Sequence, residues 1–249
     1  MKDMQMVQAM GFDRHFKATS WEEGNRSFFD QLARKYDRLN EVISLGQQKA
    51  YKYAVVRDLE LRPRMRVLDV CTGTGDLAIM MARQCKGLAI DAVDVSEPML
   101  AIAREKAAKD GFGSIRFNTG DALALPFADN TFDAVMMGFG LRNFKSIPAG
   151  LEEVYRVLKP SGRFISLDLG KPRGWSRPLY HVYYETLMPW LGQVLFHRGE
   201  FNSYAYLSTS NKYFPPPQEI LGMMAEVGFK KLRGKEYMFG GLAQQIGEK

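Results

Sequence analysis

The 249-residue chain is predicted to fold as an α/β domain around a mostly parallel sheet, and three observations predict it. Val67, Leu68 and Val70 form a short apolar run of the kind shown by a strand buried on both faces. Gly73-Thr74-Gly75 then breaks the run, and an apolar, Ala-rich stretch over 76–83 reads as a helix. The same strand–helix rhythm repeats from residue 64 to about 167, which implies parallel strands joined by crossover helices.

In order, residues 1–19 are Met- and Gln-rich with little periodicity and read as a mobile arm, and 20–249 as a single domain. Within it, 20–62 forms N-terminal helices. Ser20 and Glu23 have capping-box spacing, and Phe28, Phe29, Leu32 and Tyr36 then recur at helical spacing over 20–35. A second helix is expected over 47–59, and the pair either pads the sheet or covers a ligand. Strands are expected at 66–70, 88–93, 114–118, 132–137 and 162–167. Helices are expected at 76–84, 98–110 and 148–158, with a short turn after Asp121. Pro98 opens its helix and Gly111 follows its end, the usual asymmetry. Residues 171–213 break the rhythm, are too long for a bare loop and are rich in Trp, Tyr and Phe. They read as a helical insertion that builds an apolar substrate pocket or completes the core. A helix at 218–227 and a hairpin of 229–232 with 237–240 bring the strand count to seven.

Hydrophobic content of 46% and charged content of 25% are those of a globular protein, and a net charge of +6 with scattered basic residues carries no nucleic-acid motif. Two cysteines, Cys71 and Cys85, imply no disulfide framework and suit a reducing, cytoplasmic setting. The three histidines lack metal-ligand spacing, so no metal is expected. The N-terminus shows no secretion-signal pattern, and no run of 18 apolar residues is present.

The glycine turn lets a backbone approach a ligand, with the free N–H groups of the next helix aimed at it. Gly73-x-Gly75-x-x-Ala78 also fits the degenerate dinucleotide fingerprint, which alone is weak. Asp69 lies inside the first strand, Asp94 ends the second, and Asp121 with Ala122 follows the third. Three carboxylates at successive strand ends suit S-adenosylmethionine, with its cationic groups and ribose hydroxyls, better than a pyrophosphate. The competing reading is a general nucleotide fold with the acids as helix caps.

Several stretches together resemble the ubiquinone/menaquinone biosynthesis C-methyltransferases: YDRLNEVISLG at 36–46, VLDVCTGTGDL at 67–77, VDVSEPML at 93–100, GDALALPFADN at 120–130, FDAVMMGFGLRN at 132–143, EVYRVLKPSGR at 153–163 and YAYL at 204–207. The resemblance runs from about Phe28 to the C-terminus. It implies a Rossmann-like class I methyltransferase that methylates a ring carbon of a demethylated prenyl-quinol, most simply demethylmenaquinol, with S-adenosylmethionine as donor and no metal. It further implies that Gly73, Thr74 and Gly75 contact the donor, that Asp94 holds the ribose, that Asp121 and Ala122 meet the adenine, and that Gly138 offers backbone where some members have Ser. Arg142 and Asn143 would face the transferable methyl, Arg142 stabilising the acceptor's oxyanion. Tyr36, Asn40, Tyr204 and Tyr206 would wall the acceptor pocket; Asp121, Tyr204 or a water relayed by Asn143 would take the proton. The chain departs from the family at Asp168-Leu169-Gly170 and Ser208-Thr209-Ser210, which puts the acceptor's identity in question. An anionic membrane surface and a homo-oligomer are compatible partners, nucleic acid is not, and the insertion is expected to touch the membrane.

Overall fold

The computed structural model describes residues 7–44, 46–174, 178, 182–187, 190 and 203–249. A short helix at Phe12–His15 comes first, followed by α1 (Trp21–Leu32), α2 (Tyr36–Ile43) and α3 (Gln48–Arg57). Then follow β1 (Arg66–Val70), α4 (Asp76–Gln84), β2 (Ala89–Asp94), α5 (Glu97–Lys109), β3 (Arg116–Thr119), β4 (Phe132–Gly138), α6 (Ile147–Val157) and β5 (Leu158–Leu169). The chain closes with α7 (Ser203–Tyr213), α8 (Pro217–Val227), β6 (Lys230–Tyr237) and β7 (Leu242–Glu248). The strands form one sheet in the order β3-β2-β1-β4-β5-β7-β6, parallel except for β7, which pairs antiparallel with both neighbours.

Side chains alternate across this sheet because successive Cβ atoms point to opposite faces. Val67, Ala134, Met136, Ile165 and Leu167 pack with Val55, Val56 and Ala78 on one face. Leu68, Val70, Val135, Met137 and Phe164 pack with Leu151, Val154 and Met224 on the other. Strand order reverses between β1 and β4, each of which pairs with a different neighbour beyond that point. A crevice opens there at the carboxyl ends of the strands.

The helix starts follow local chemistry. The Ser20 hydroxyl accepts the Glu23 N–H at 3.2 Å, while the Glu23 carboxylate reaches back one residue further, to the N–H and hydroxyl of Thr19. The Ser96 hydroxyl caps α5 by accepting the Met99 N–H, and Ser146 caps α6 by accepting that of Ala149.

Two expectations require correction. Residues 7–18 are no loose arm. Val7 and Phe12 are fully buried, and with Met10, Ala18, Trp21, Phe28, Leu32, Leu39 and Tyr206 they make a third apolar cluster. Apolar side chains too irregularly spaced to announce a helix still bury against a helical cap, and periodicity does not register that. The final hairpin also lies further along. Residues 238–240, expected within its second strand, form a tight turn with Met238 and Phe239 at positive φ, and the strand proper is β7. Of the insertion, the structure describes a helical turn at Val182–Leu187 and the helix α7; most of 175–202 lies outside the described residues.

Candidate active site

A cleft of about 760 Å³ lies over the carboxyl ends of β1, β2 and β4. Its floor is the turn after β1. Gly73 adopts φ +55°, with Tyr36 Cε1 only 3.8 Å from where a Cβ would stand. At Gly75, φ is +80° and a Cβ would lie 2.9 Å from Ala103 and 3.2 Å from Phe117, so glycine there lets α4 start against α5. Cys71 and Phe139, which directly follow β1 and β4, are non-glycine residues at φ +57° and +60°. Two adjacent strand ends thus carry left-handed backbone at the edge of the cleft.

The Asp94 carboxylate accepts the Gly73 N–H at 2.8 Å through one oxygen and the Ser96 N–H at 3.0 Å through the other. Burial pushes its pKa up against the backbone N–H groups of Ser96, Gly73 and Val95. Each oxygen keeps a further lone pair, the arrangement needed to accept from two vicinal hydroxyls. Asp69 is fully buried; one oxygen accepts the Thr72 hydroxyl at 2.6 Å and the Ala78 N–H at 3.0 Å. Its other oxygen is buried without a partner, and burial raises the carboxyl's pKa to about 7. An orphaned buried acceptor beside the turn suits a cation or a polar ligand group. Asp121 closes its own turn by accepting the Leu123 N–H at 2.9 Å, and Ala122, Val95, Met99 and Leu123 give this end of the cleft apolar walls. At Gly138 a Cβ would meet Leu77 Cδ1 at 2.4 Å, so the strand end lies close under α4.

Helix α1 forms the opposite wall through Glu22, Asn25, Arg26, Phe29 and Asp30, with Phe139, Asn143, Phe144 and Lys145 from the loop after β4. The sequence predicts that this helix pads the sheet or covers a ligand, with Phe29 in its aromatic stripe, but singles out none of Glu22, Asn25, Arg26 or Asp30. The signal available was the aromatic stripe of α1, which carries both the cluster and the wall. The Asp30 carboxylate accepts the Ser96 hydroxyl at 2.5 Å, and Lys145 pairs with Glu22 at 3.0 Å, so the wall is fastened to both sides of the crevice.

The expected site residues separate into those that face the cleft and those that support it. Gly73, Asp94, Asp121, Ala122, Gly138, Tyr36 and Asn143 line it. Tyr36 is hydrogen-bonded to Asn40 one turn on, and burial raises its pKa, so it stays a neutral phenol. The Thr74 side chain turns away from the cleft: its hydroxyl donates to Asp37 at 2.5 Å and accepts from Lys106 at 3.3 Å. Lys106 also pairs with Asp37 and Asp76, and Lys52 pairs with Asp76. Burial works against ionised Asp76, but the two lysines outweigh it and hold its pKa at about 2. The YDRLN segment therefore straps the helical cap to the glycine turn: Tyr36 lies against Gly73, Asp37 ties Thr74, and Asn40 steadies Tyr36.

Arg142 is corrected most. Its guanidinium is buried, 2.7 Å from Asp168, which also accepts the Arg142 backbone N–H. It donates to Phe139 O at 2.9 Å and stands over the Phe139 ring. Burial opposes its charge, and Asp168 outweighs that and raises its pKa. Arg142 thus holds the loop from behind and lines none of the cleft among the described residues. Tyr206 also sits behind the wall, 2% exposed. The Tyr204 side chain lies outside the described residues.

With this geometry in place, the comparisons with known proteins are decisive. The profile of the ubiE/COQ5 methyltransferase family matches residues 17–249. The chain belongs to that family. Among curated relatives, the demethylmenaquinone methyltransferase of Thermus thermophilus is 41% identical over 223 residues, covering 89% of this chain and 99% of that protein. The ubiquinone/menaquinone biosynthesis C-methyltransferase of Geotalea daltonii is 35% identical, covering 94% and 100%. In fold, the chain is similar to a Haemonchus contortus phosphoethanolamine N-methyltransferase solved with S-adenosyl-L-methionine, at TM-score 0.67 and 18% identity over 90% of this chain and 60% of that one. A SAM-dependent methyltransferase from Aquifex aeolicus gives TM-score 0.60 at 19% identity, covering 85% and 97%. The protein is an S-adenosylmethionine-dependent methyltransferase with a Rossmann-like sheet. Among the described residues, no group of three or more His, Cys, Asp or Glu is placed to hold a metal ion.

Proposed function

We propose that the chain methylates a ring carbon of a demethylated prenyl-quinol, demethylmenaquinol, using S-adenosylmethionine. The observation that carries the acceptor half is the loop after β4: FGLRN folds so that Asn143, between Phe139 and Phe144, faces the same cleft as Asp94 and Gly73. The demethylmenaquinone name borne by relatives matched along nearly their whole length supports the ring assignment.

The residues present fit the donor. Asp94 would accept both ribose hydroxyls, Asp69 would hold the glycine turn from beneath through Thr72 and Ala78, and the Asp121 loop with Val95 and Met99 would enclose the base. Bound there, adenosylmethionine supplies a methyl made electrophilic by its sulfonium. Phe29, Tyr36, Phe139 and Phe144 present flat apolar surfaces to an aromatic acceptor and exclude water from it. Asn143 Nδ2 donates one hydrogen to Phe139 O at 3.1 Å and keeps the second for the acceptor's hydroxyl oxygen. As that hydroxyl loses its proton, charge flows to the ortho carbon, and a donor fixed on the oxygen stabilises the phenolate. Of the candidate bases, Asp121 lies at the end of the cleft that takes the donor's base and the Tyr204 side chain lies outside the described residues, so we assign the proton to water held at Asn143.

The long tail must come from a lipid phase. We place the insertion at an anionic membrane surface, since Val182 and Trp190 are 64% and 58% exposed and Leu187 is also exposed. Co-sedimentation with anionic vesicles tests this, and no binding at low salt refutes it. The acceptor reading is tested by Asn143→Ala in single-turnover assays. Donor affinity should hold while transfer falls about 100- to 1,000-fold; transfer at the parent rate would remove Asn143 from the chemistry.

A further inference from the structure

Tyr206 is among the most deeply buried aromatic side chains in the protein, yet its hydroxyl ends on Asn143, a residue of the cleft. Its ring is wedged into the cap, 4.2 Å from the Phe28 ring centroid and stacked on Phe12 at 5.8 Å. Its hydroxyl accepts from Asn25 Nδ2 at 3.2 Å and donates to Asn143 Oδ1 at 2.6 Å. Burial pushes the phenol's pKa well up, so it is a permanent donor. Across the same junction the Trp21 indole N–H donates to the Asn143 carbonyl oxygen at 2.8 Å. Both ends of Asn143, backbone and side chain, are therefore held by the helical cap: Trp21 and Asn25 from α1, Tyr206 from α7. Phe139 O takes one Nδ2 hydrogen, so the amide is fixed with its remaining hydrogen free for the cleft. A phenylalanine at 206 or 21 would fill much of the same space.

We propose that Tyr206 is a positioning residue for methyl transfer, which sets the orientation of the Asn143 amide and makes that orientation depend on the cap being seated. The inference rests on the reading of Asn143 as the group that meets the acceptor oxygen. Tyr206 touches neither substrate. It acts through Asn143, so its effect must vanish when Asn143 is gone.

The test is a double-mutant cycle of the full chain: parent, Tyr206→Phe, Asn143→Ala and the double variant. Single turnover is measured at saturating donor with a water-soluble demethylmenaquinol analogue, and donor affinity by calorimetry. Tyr206→Phe should bind donor within about twofold of the parent and transfer methyl roughly ten- to a hundredfold more slowly. The loss should fall on kcat, with acceptor KM nearly unchanged. In the Asn143→Ala background, Tyr206→Phe should add no further loss. Trp21→Phe, which deletes the indole donor and keeps a ring, should show the same non-additivity with a smaller loss, and serves if Tyr206→Phe does not fold. A parent rate for Tyr206→Phe alongside a slow Asn143→Ala would overturn the inference alone, as would equal losses in both backgrounds. A parent rate for Asn143→Ala would instead refute the reading of Asn143 and take this inference with it.

Discussion

Replacing Arg142 by leucine should first of all destabilise the protein. The Arg142 and Asp168 side chains are 4% and 2% exposed and pair at 2.7 Å. Asp168 also accepts the backbone N–H groups of Arg142 and Leu169, so its position is fixed and it cannot swing to solvent. Removing the guanidinium leaves a carboxylate buried with two amide donors and no countercharge. Breaking one side of such a pair costs about 3–5 kcal/mol. For a domain of this size each kcal/mol lowers Tm by about 2–4 °C, so a fall of roughly 6–20 °C is expected. Phe139 O also loses its bond from Arg142 Nη1, so the strained Phe139 is held by Asn143 Nδ2 and by its own N–H to Leu167 O. The assay is calorimetric unfolding of Arg142→Leu, of Asp168→Leu and of Arg142→Met with Asp168→Leu. The double variant should recover much of the loss, because a buried ion pair can often be exchanged for apolar side chains of similar volume. If Arg142→Leu unfolds at the parent temperature yet loses transfer, the guanidinium acts in the cleft and its assignment as a support is wrong.

Three further outcomes follow from the same geometry. Asp94→Ala should weaken donor binding by about 100- to 10,000-fold, since two charge-assisted bonds contribute about 1.5–3 kcal/mol each; calorimetric titration showing unchanged affinity in a folded variant would remove Asp94 from the site. Asp69 titrates at about 7 in the fold and 3.8 unfolded, so the fold binds its proton more tightly and this residue's contribution falls as pH rises from about 4 to about 7. Asp69→Asn should therefore gain stability relative to the parent across that window, by no more than about 4 kcal/mol, and a pH-independent difference in denaturant unfolding would refute the assignment. Asp37→Ala should loosen the strap on Thr74 and lower donor affinity roughly fivefold, the effect of about 1 kcal/mol from a half-exposed ion pair; an unchanged Kd would make the strap irrelevant to the donor loop.

The sheet was legible because a buried parallel strand writes itself as an apolar run, and a crossover helix as a period of 3.6. β1 coincides with its expected span, and β2 and β4 lie within a residue or two of theirs. β7 was misplaced because Tyr237–Gly240 looks as apolar as a strand, while the positive φ of Met238 and Phe239 that turns the chain leaves no mark in residue type. In the site, Asp94 and the glycine turn were readable because a fixed spacing from a strand end determines where they stand. Thr74, Arg142 and Tyr206 lie in equally telling motifs, yet all three face away from the cleft. A motif shows that a side chain is needed, but which way it points depends on partners distant in sequence, here Asp37, Asp168 and Asn25. The packed segment 7–18 escaped notice for the same reason: it is ordered by Tyr206 and Trp21 rather than by its own periodicity.

The position of the transferred methyl decides the reaction. Incubating the protein with methyl-labelled S-adenosylmethionine and demethylmenaquinol, followed by mass-spectrometric and NMR localisation of the label, reads this directly. The account predicts the label on the ring carbon ortho to a quinol hydroxyl, with transfer strongly slowed in Asn143→Ala. Label on an oxygen, or none on the quinol with donor bound, would contradict it.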